Sequence, residues 1–198
     1  TSADAHIVDV TDEAAVAALC DTVVERHGRL DVAFNNAGIN DLPAALTELE
    51  LERWNRMIAV NLTSVFVCCK HELRHMLAAG RGAIVNTSSG AGLVAAPGLP
   101  HYTAAKHGVV GLTRAAAQEV ARRGVRVNAV LPGSTDTPMI RSFIGDDPQL
   151  EAMIARSNIG GELLDPTDIA DVVVWLASPA ARRVNGQSVV VDGGGLCH

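Results

Sequence analysis

Tyr102 and Lys106 stand four residues apart in the segment HYTAAKHG, and Ser89 lies thirteen residues before the tyrosine in IVNTSSGAG. If the tyrosine segment is helical, an offset of four places phenol and ammonium on one face, within reach of one substrate and one cofactor. A free phenol titrates near ~10, too high for acid and base work at neutral pH, whereas a neighbouring ammonium favours the phenolate and lowers that value. A serine hydroxyl brought in from the end of a strand donates to a carbonyl oxygen or accepts from an alcohol. Together the three side chains describe a site that reduces a carbonyl or oxidises an alcohol, with the lysine tuning the tyrosine.

A second pattern competes with this one. His71-Glu72-Leu73-Arg74-His75 matches H-E-x-x-H, the zinc-protease helix signature of two imidazoles and a general-base glutamate. No clear third ligand follows it, and it lies far in sequence from the strand ends that would build a pocket. No metal is therefore expected.

Strands alternate with helices along the chain, which argues an α/β fold with a parallel, doubly wound sheet in one domain spanning 1–198. Ala5 to Val8 reads as a short buried strand, and Thr11 with Asp12-Glu13 supplies an N-cap and acidic first turn for a helix ending near Gly28. A strand is expected from Leu30 to Phe34, then a helical stretch from about Leu49 to Ala79 closed by Gly80. Another strand covers Ala83 to Thr87. The Tyr102 helix runs to about Arg123, with Gly124 ending it, and Val125 to Leu131 is the next strand. From Pro132 to Leu164 little periodicity shows beyond a short helix near Gln149 to Arg156. A helix beginning at Pro166 covers Ile169 to Leu176, and Ser188 to Val191 is the last strand.

Further motifs accompany the tyrosine: Asn35-Asn36-Ala37-Gly38, Asn61 in VNL, Pro132-Gly133 followed by Thr137, and the closing GQSVVVDGG. With Ser89, Tyr102 and Lys106 they make the chain resemble the short-chain dehydrogenase/reductase family, in its main single-domain subfamily, along almost its whole length. The resemblance implies a Rossmann-type fold and an NAD- or NADP-dependent oxidoreductase interconverting an alcohol and a ketone or aldehyde. Tyr102 would be acid in reduction and base in oxidation. Lys106 would also bind the nicotinamide ribose, and Ser89 rather than Ser88 would be the catalytic hydroxyl, since the family spacing to tyrosine is thirteen. The family's asparagine matching Asn61 sits at a helix kink and holds a water in a proton relay to the lysine. Asn35, Asn36, Ala37 and Gly38 would support the cofactor, Asp9 with Val10 its adenine, and Pro132, Gly133, Thr135 and Thr137 its carboxamide and pyrophosphate. Ser89, Gly90, His101 and Tyr102 would border the substrate, with Asn40, Leu42, Ala91, Leu93 and a lid around Met139 to Phe143. A family member catalysing dehydration or epimerisation keeps the same tetrad, and a noncatalytic or partner-dependent fragment is the alternative outside enzymology.

Family members open with a strand and a T-G-x-x-x-G-x-G turn at the cofactor pyrophosphate, and the sequence has no match to it. TSADAHIVDVTD resembles instead the family's third strand and the Asp after it. In the sheet order 3-2-1-4-5-6-7 the first two strands lie between the third and the fourth, so their absence leaves HIVDV close to 14 Å from VAFNN at roughly 4.8 Å per strand. An orphan strand cannot pair. The expectation is that the functional protein carries about 50 to 60 further N-terminal residues, the length of a complete βαβα half. NAD and NADP cannot be told apart, because the discriminating residues fall in that half.

Composition narrows the classes further. Apolar residues are 48% of the 198 and charged residues 19%, a globular composition without low-complexity tracts. A net charge of -6 and the lack of a basic cluster argue against nucleic acid as partner. No apolar run approaches the ~20 residues of a membrane span. Cys20, Cys68, Cys69 and Cys197 lack metal-type spacing and read as reduced thiols of a cytoplasmic protein. In relatives the helix from Leu49 and the Tyr102 helix form association surfaces, and Ala104, Ala105, Gly108 and Val109 fit a homodimer or homotetramer around a small-molecule substrate.

Overall fold

A computed structural model describes residues 3–197. Its helices are α1 (Glu13–His27), α2 (Leu51–Ile58), α3 (Ser64–Ala79), α4 (Pro100–Val120), α5 (Pro138–Ile144), α6 (Pro148–Ala155) and α7 (Pro166–Ala177). Its strands are β1 (Val32–Asn35), β2 (Gly82–Thr87), β3 (Val125–Pro132) and β4 (Ser188–Val191). They pair in the order β1-β2-β3-β4, all parallel, with Asn35 opposite Asn86 and Thr87 opposite Val130. The parallel α/β expectation holds.

The alternating side chains of β2 and β3 divide the core in two, since successive residues of a strand face opposite ways. Ile84, Val125 and Val127 pack with Val65, Cys69 and Met76 of α3 and Val109, Ala116 and Val120 of α4. Val85 and Val130 face the other way, against Ile169, Val173 and Leu176 of α7. Burying each of these larger side chains stabilises the fold by ~1.5–3 kcal/mol, which explains why strands covered on both faces read as continuous apolar runs.

Three local expectations change. Residues 5–8 form no strand: Ile7 is fully exposed, and no strand of the described residues lies beside it to complete a ladder. The cap of α1 is Asp12 rather than Thr11, its carboxylate accepting from the amides of Ala14 and Ala15 at 2.9 and 3.2 Å, while Thr11 turns back onto Asp9. The segment after β3 contains α5 as well as α6. The stretch from Leu51 to Ala79 is helical throughout but holds a π-helical turn at Ala59–Thr63 around Asn61.

Candidate active site

A cavity of about 440 Å3 opens at the carboxyl ends of β1, β2 and β3, the end where ligands sit in open α/β sheets. Tyr102 and Lys106 reach it from the first two turns of α4, Ser89 from the residues after β2, and Asn61 from the π-helical turn. Asn36 and Gly38 enter from the loop after β1. Pro132, Gly133, Thr135 and Thr137 enter from the segment between β3 and α5. Ile39, Met139, Ile140, Pro166, Ile169 and Ala170 supply apolar wall.

Lys106 is only 4% exposed, and its Nζ donates to the Thr87 carbonyl at 3.1 Å while standing 5.5 Å from the centre of the Tyr102 ring. Burial pushes its ammonium down to about 8. Burial also holds the Tyr102 phenol above its ordinary value, with the Ser89 hydroxyl acting in the opposite direction. The expectation that the lysine lowers the phenol is therefore corrected for the protein alone. Desolvation of a phenolate outweighs an ammonium that lies over the ring and bonds elsewhere.

The two adjacent serines divide their work. Ser88 is buried and its Oγ donates to the Lys106 carbonyl at 2.8 Å, tying β2 to α4, whereas Ser89 Oγ faces the cavity and accepts from the Ala91 amide at 3.2 Å. Gly92 permits this packing, because a Cβ there would come within 2.9 Å of the Lys106 carbonyl oxygen. Asn61, 1% exposed, grips the loop after β1 as a backbone would: its Oδ1 accepts from Ile39 N at 3.2 Å and its Nδ2 donates to Ile39 O at 3.1 Å. The π-helical turn aims this amide out of the helix.

Other expected residues lie elsewhere. Asp9 is exposed and caps its own turn through Thr11, which holds its carboxyl below the usual range. Val10, Asn35 and Ala37 line a second cavity of about 270 Å3 on the outer side of β1. Gly90, Ala91, Leu93, Asn40 and Leu42 stand off the main cavity, and so does His101, which is fully buried against Asp41. The lining from α7, Pro166, Ile169 and Ala170, has no sequence motif; only its place after the lid segment could have signalled it.

The H-E-x-x-H residues do not converge. His71 Nε2 lies 3.2 Å from a Glu13 oxygen and His75 Nε2 2.8 Å from Asp21, while Glu72 accepts from Asn35 Nδ2 at 3.0 Å inside the fold. Among the described residues no three such side chains are grouped as a metal site.

With the geometry in place, comparison with known proteins is informative. A family model described as enoyl-(acyl carrier protein) reductase matches residues 1–195. Cis-4-hydroxycyclohexanecarboxylate dehydrogenase of Sinomonas cyclohexanicum is 47% identical over 186 residues, 94% of this chain and 74% of that protein. Cyclohexanol dehydrogenase of Acinetobacter sp. (strain SE19) is 46% identical over 170 residues, 86% and 65% of the two chains. The solved structure of ElxO with NADP bound superposes with a TM-score of 0.93 at 36% identity, covering 98% of this chain and 78% of that one. The chain belongs to the short-chain dehydrogenase/reductase family. It is an NAD(P)-dependent oxidoreductase of the alcohol–carbonyl type.

The residues present fit the nicotinamide end of that cofactor. An ammonium has three donors, and Lys106 uses one on Thr87, leaving donors for ribose hydroxyls on the cavity side. Gly38 leaves backbone open beside it, since a Cβ there would stand 2.8 Å from Asn61 Oδ1.

Proposed function

We propose that this site interconverts a small cyclic secondary alcohol and its ketone, with Tyr102 as the proton donor in reduction and acceptor in oxidation. The carrying observation is that Ser89, Tyr102, Lys106 and Asn61 share one cavity although they come from three separate places in the chain, the residues after β2, α4 and the π-helical turn. When bound, the nicotinamide supplies or takes the hydride. Ser89 Oγ donates to the substrate oxygen and orients it toward the phenol. Lys106 holds the ribose hydroxyls, Asn61 fixes the loop bearing Ile39, and Asn36, Gly38, Pro132, Gly133, Thr135 and Thr137 form the cofactor's bed, with Asp9, Val10, Asn35 and Ala37 toward its adenine side.

A ring substrate is supported by three things. The cavity of about 440 Å3 is at the small end for ligand sites, and it must accept nicotinamide as well, so little room is left for the substrate. Its substrate side is apolar, from Ile39, Met139, Ile140 and Ile169, and Lys106 is its one charged lining residue among those described. The related cyclohexanol and hydroxycyclohexanecarboxylate dehydrogenases are named for such rings. Turnover of cyclohexanol and substituted cyclohexanols with NAD and with NADP, followed by nicotinamide absorbance, tests the reading. Activity confined to open-chain alcohols would overturn it, and absence of cofactor binding would favour a noncatalytic chain.

The same reading extends to the assembly. The four free cysteines, three of them wholly or partly buried, suit a reducing cytoplasm, and α4 and α3 are the proposed faces of a homodimer or homotetramer. No described helix is long and apolar enough to cross a membrane. The exposed outer edge of β1 is the proposed seat of a further βα half.

A further inference from the structure

A carboxylate behind the cavity wall joins three elements. Asp41, in the loop after β1, accepts through Oδ2 from Arg53 Nε of α2 at 2.9 Å and lies through the same oxygen 3.0 Å from His101 Nε2 of α4. Its Oδ1 accepts from the Leu42 amide at 2.8 Å. The Arg53 guanidinium beside it, with His101 and Leu42 assisting, holds the Asp41 carboxyl far below the usual carboxylate range, so it is ionised at neutral pH.

His101 is the unusual member. Its side chain is 0% exposed, against 27% for Asp41 and 30% for Arg53, and its Nδ1 has no hydrogen-bond partner. An ionised carboxylate only accepts, so Nε2 carries the proton of this contact and Asp41 is the imidazole's sole polar anchor among the described residues.

The anchor falls where α4 most needs one. The first amides of a helix lack intrahelical acceptors, and α4 begins at Pro100 with no side-chain cap from the N-cap residue Leu99. Tyr102 stands in that first turn, directly after His101. The loop carrying Asp41 also carries Gly38 and Ile39, which line the cavity, and Asn61 pins it at Ile39. Asp41 thus connects the turn that bears the tyrosine to the wall the substrate would touch.

We infer that the Asp41–His101 contact is a strut that sets Tyr102 against the loop of Gly38 and Ile39, making Asp41 a positioning residue for the reaction. Its kinetic consequence rests on the alcohol–carbonyl reading above, but its structural consequence does not. Tyr102 is the only tyrosine in the chain, so the whole protein labelled with [ζ-13C]tyrosine gives one resonance that reports this side chain alone.

Asp41→Ala should displace that resonance and lower kcat by about 10- to 100-fold, the scale of a small misplacement of a reacting group, with KM for cyclohexanol little changed. Asp41→Asn still accepts from Nε2–H and should recover most of both. A variant that only loses folded molecules would lower kcat in proportion to the folded fraction and leave the resonance in place, and that result overturns the strut. Should Asp41→Ala not fold, His101→Asn breaks the same contact from α4 and is judged by the same two readouts. If the wild-type protein oxidises no alcohol, the oxidoreductase reading fails and the resonance alone decides: displaced in Asp41→Ala it supports the strut, unmoved it overturns it.

Discussion

At the scale of single residues the site separates roles that the sequence leaves adjacent. Ser88 and Ser89 differ by one position and both line the cavity, yet the hydroxyl of one bonds the Lys106 carbonyl and that of the other bonds the Tyr102 phenol. Ser89→Ala should therefore lower kcat with only the small stability loss of its Ala91 contact, whereas Ser88→Ala should lower stability by about 0.5–1.5 kcal/mol through the lost bond to the Lys106 carbonyl; melting curves and initial rates on both variants check this. Tyr102→Phe removes the proton donor and should cost about 10²- to 10⁴-fold in kcat, with cofactor affinity by fluorescence titration nearly intact; retained turnover would refute the assignment. Gly38→Ala would place a methyl 2.8 Å from Asn61 Oδ1, forcing that amide off Ile39, and should weaken cofactor binding as well as rate.

At the scale of elements, α3 shows where charge and packing conflict. Glu72 is 7% exposed and accepts from Asn35, which also bonds Asn86 at 3.0 Å, and Asn86 in turn donates to Thr113 of α4. Burial pushes the Glu72 carboxyl up to about 7 from an ordinary 4.5, with the Asn35 amide opposing. The folded state then holds a proton that the unfolded chain releases. This stability is fully present below about pH 4.5 and is lost as pH rises through about 7, on the order of 3 kcal/mol in all. Glu72→Gln keeps an acceptor for Asn35 and should flatten this part of the stability curve; urea unfolding at several pH values decides, and equal slopes in both proteins would sink the idea. Legibility at this scale follows the same physics. The apolar runs of β2 and β3 were readable because both faces are buried, and β4 by its valine run although Val190 is exposed. α5 was not, since seven residues are too few to show a helical period, although Thr137 and Pro138 are a readable cap. The strand expected at residues 5–8 has strand composition, but composition cannot make a ladder without a partner. Tyr102 and Lys106 were singled out by their spacing, and Ser89 and Asn61 by family resemblance; all four line one cavity, whereas Thr87, His101 and Asp41 act through contacts that no local pattern encodes.

For the whole molecule, the sheet edge is the feature out of balance with the rest. Among the described residues β1 pairs only with β2, and Val32 and Phe34 are 46% and 42% exposed on the face turned away from α3. Beside them the second cavity of about 270 Å3 is lined by Val8, Val10, Val16, Leu19 and Val23. A parallel strand is normally covered on both faces, and an apolar open edge is a template for aggregation. The balance is restored if a further parallel strand pairs with β1 and its helices cover Val32 and Phe34. Such a half would also bring a glycine-rich turn to the carboxyl end of the sheet, beside Asn36, where the cofactor's phosphates would need backbone amides. Two measurements on protein from its natural source test this. Intact mass should exceed that of the 198 residues by about 5 to 6 kDa, the size of a βαβα half, and Val32→Lys should lower the melting temperature because the side chain is covered. An equal mass, together with a Val32→Lys variant that is more soluble and no less stable, would mean that the edge is open in the working protein.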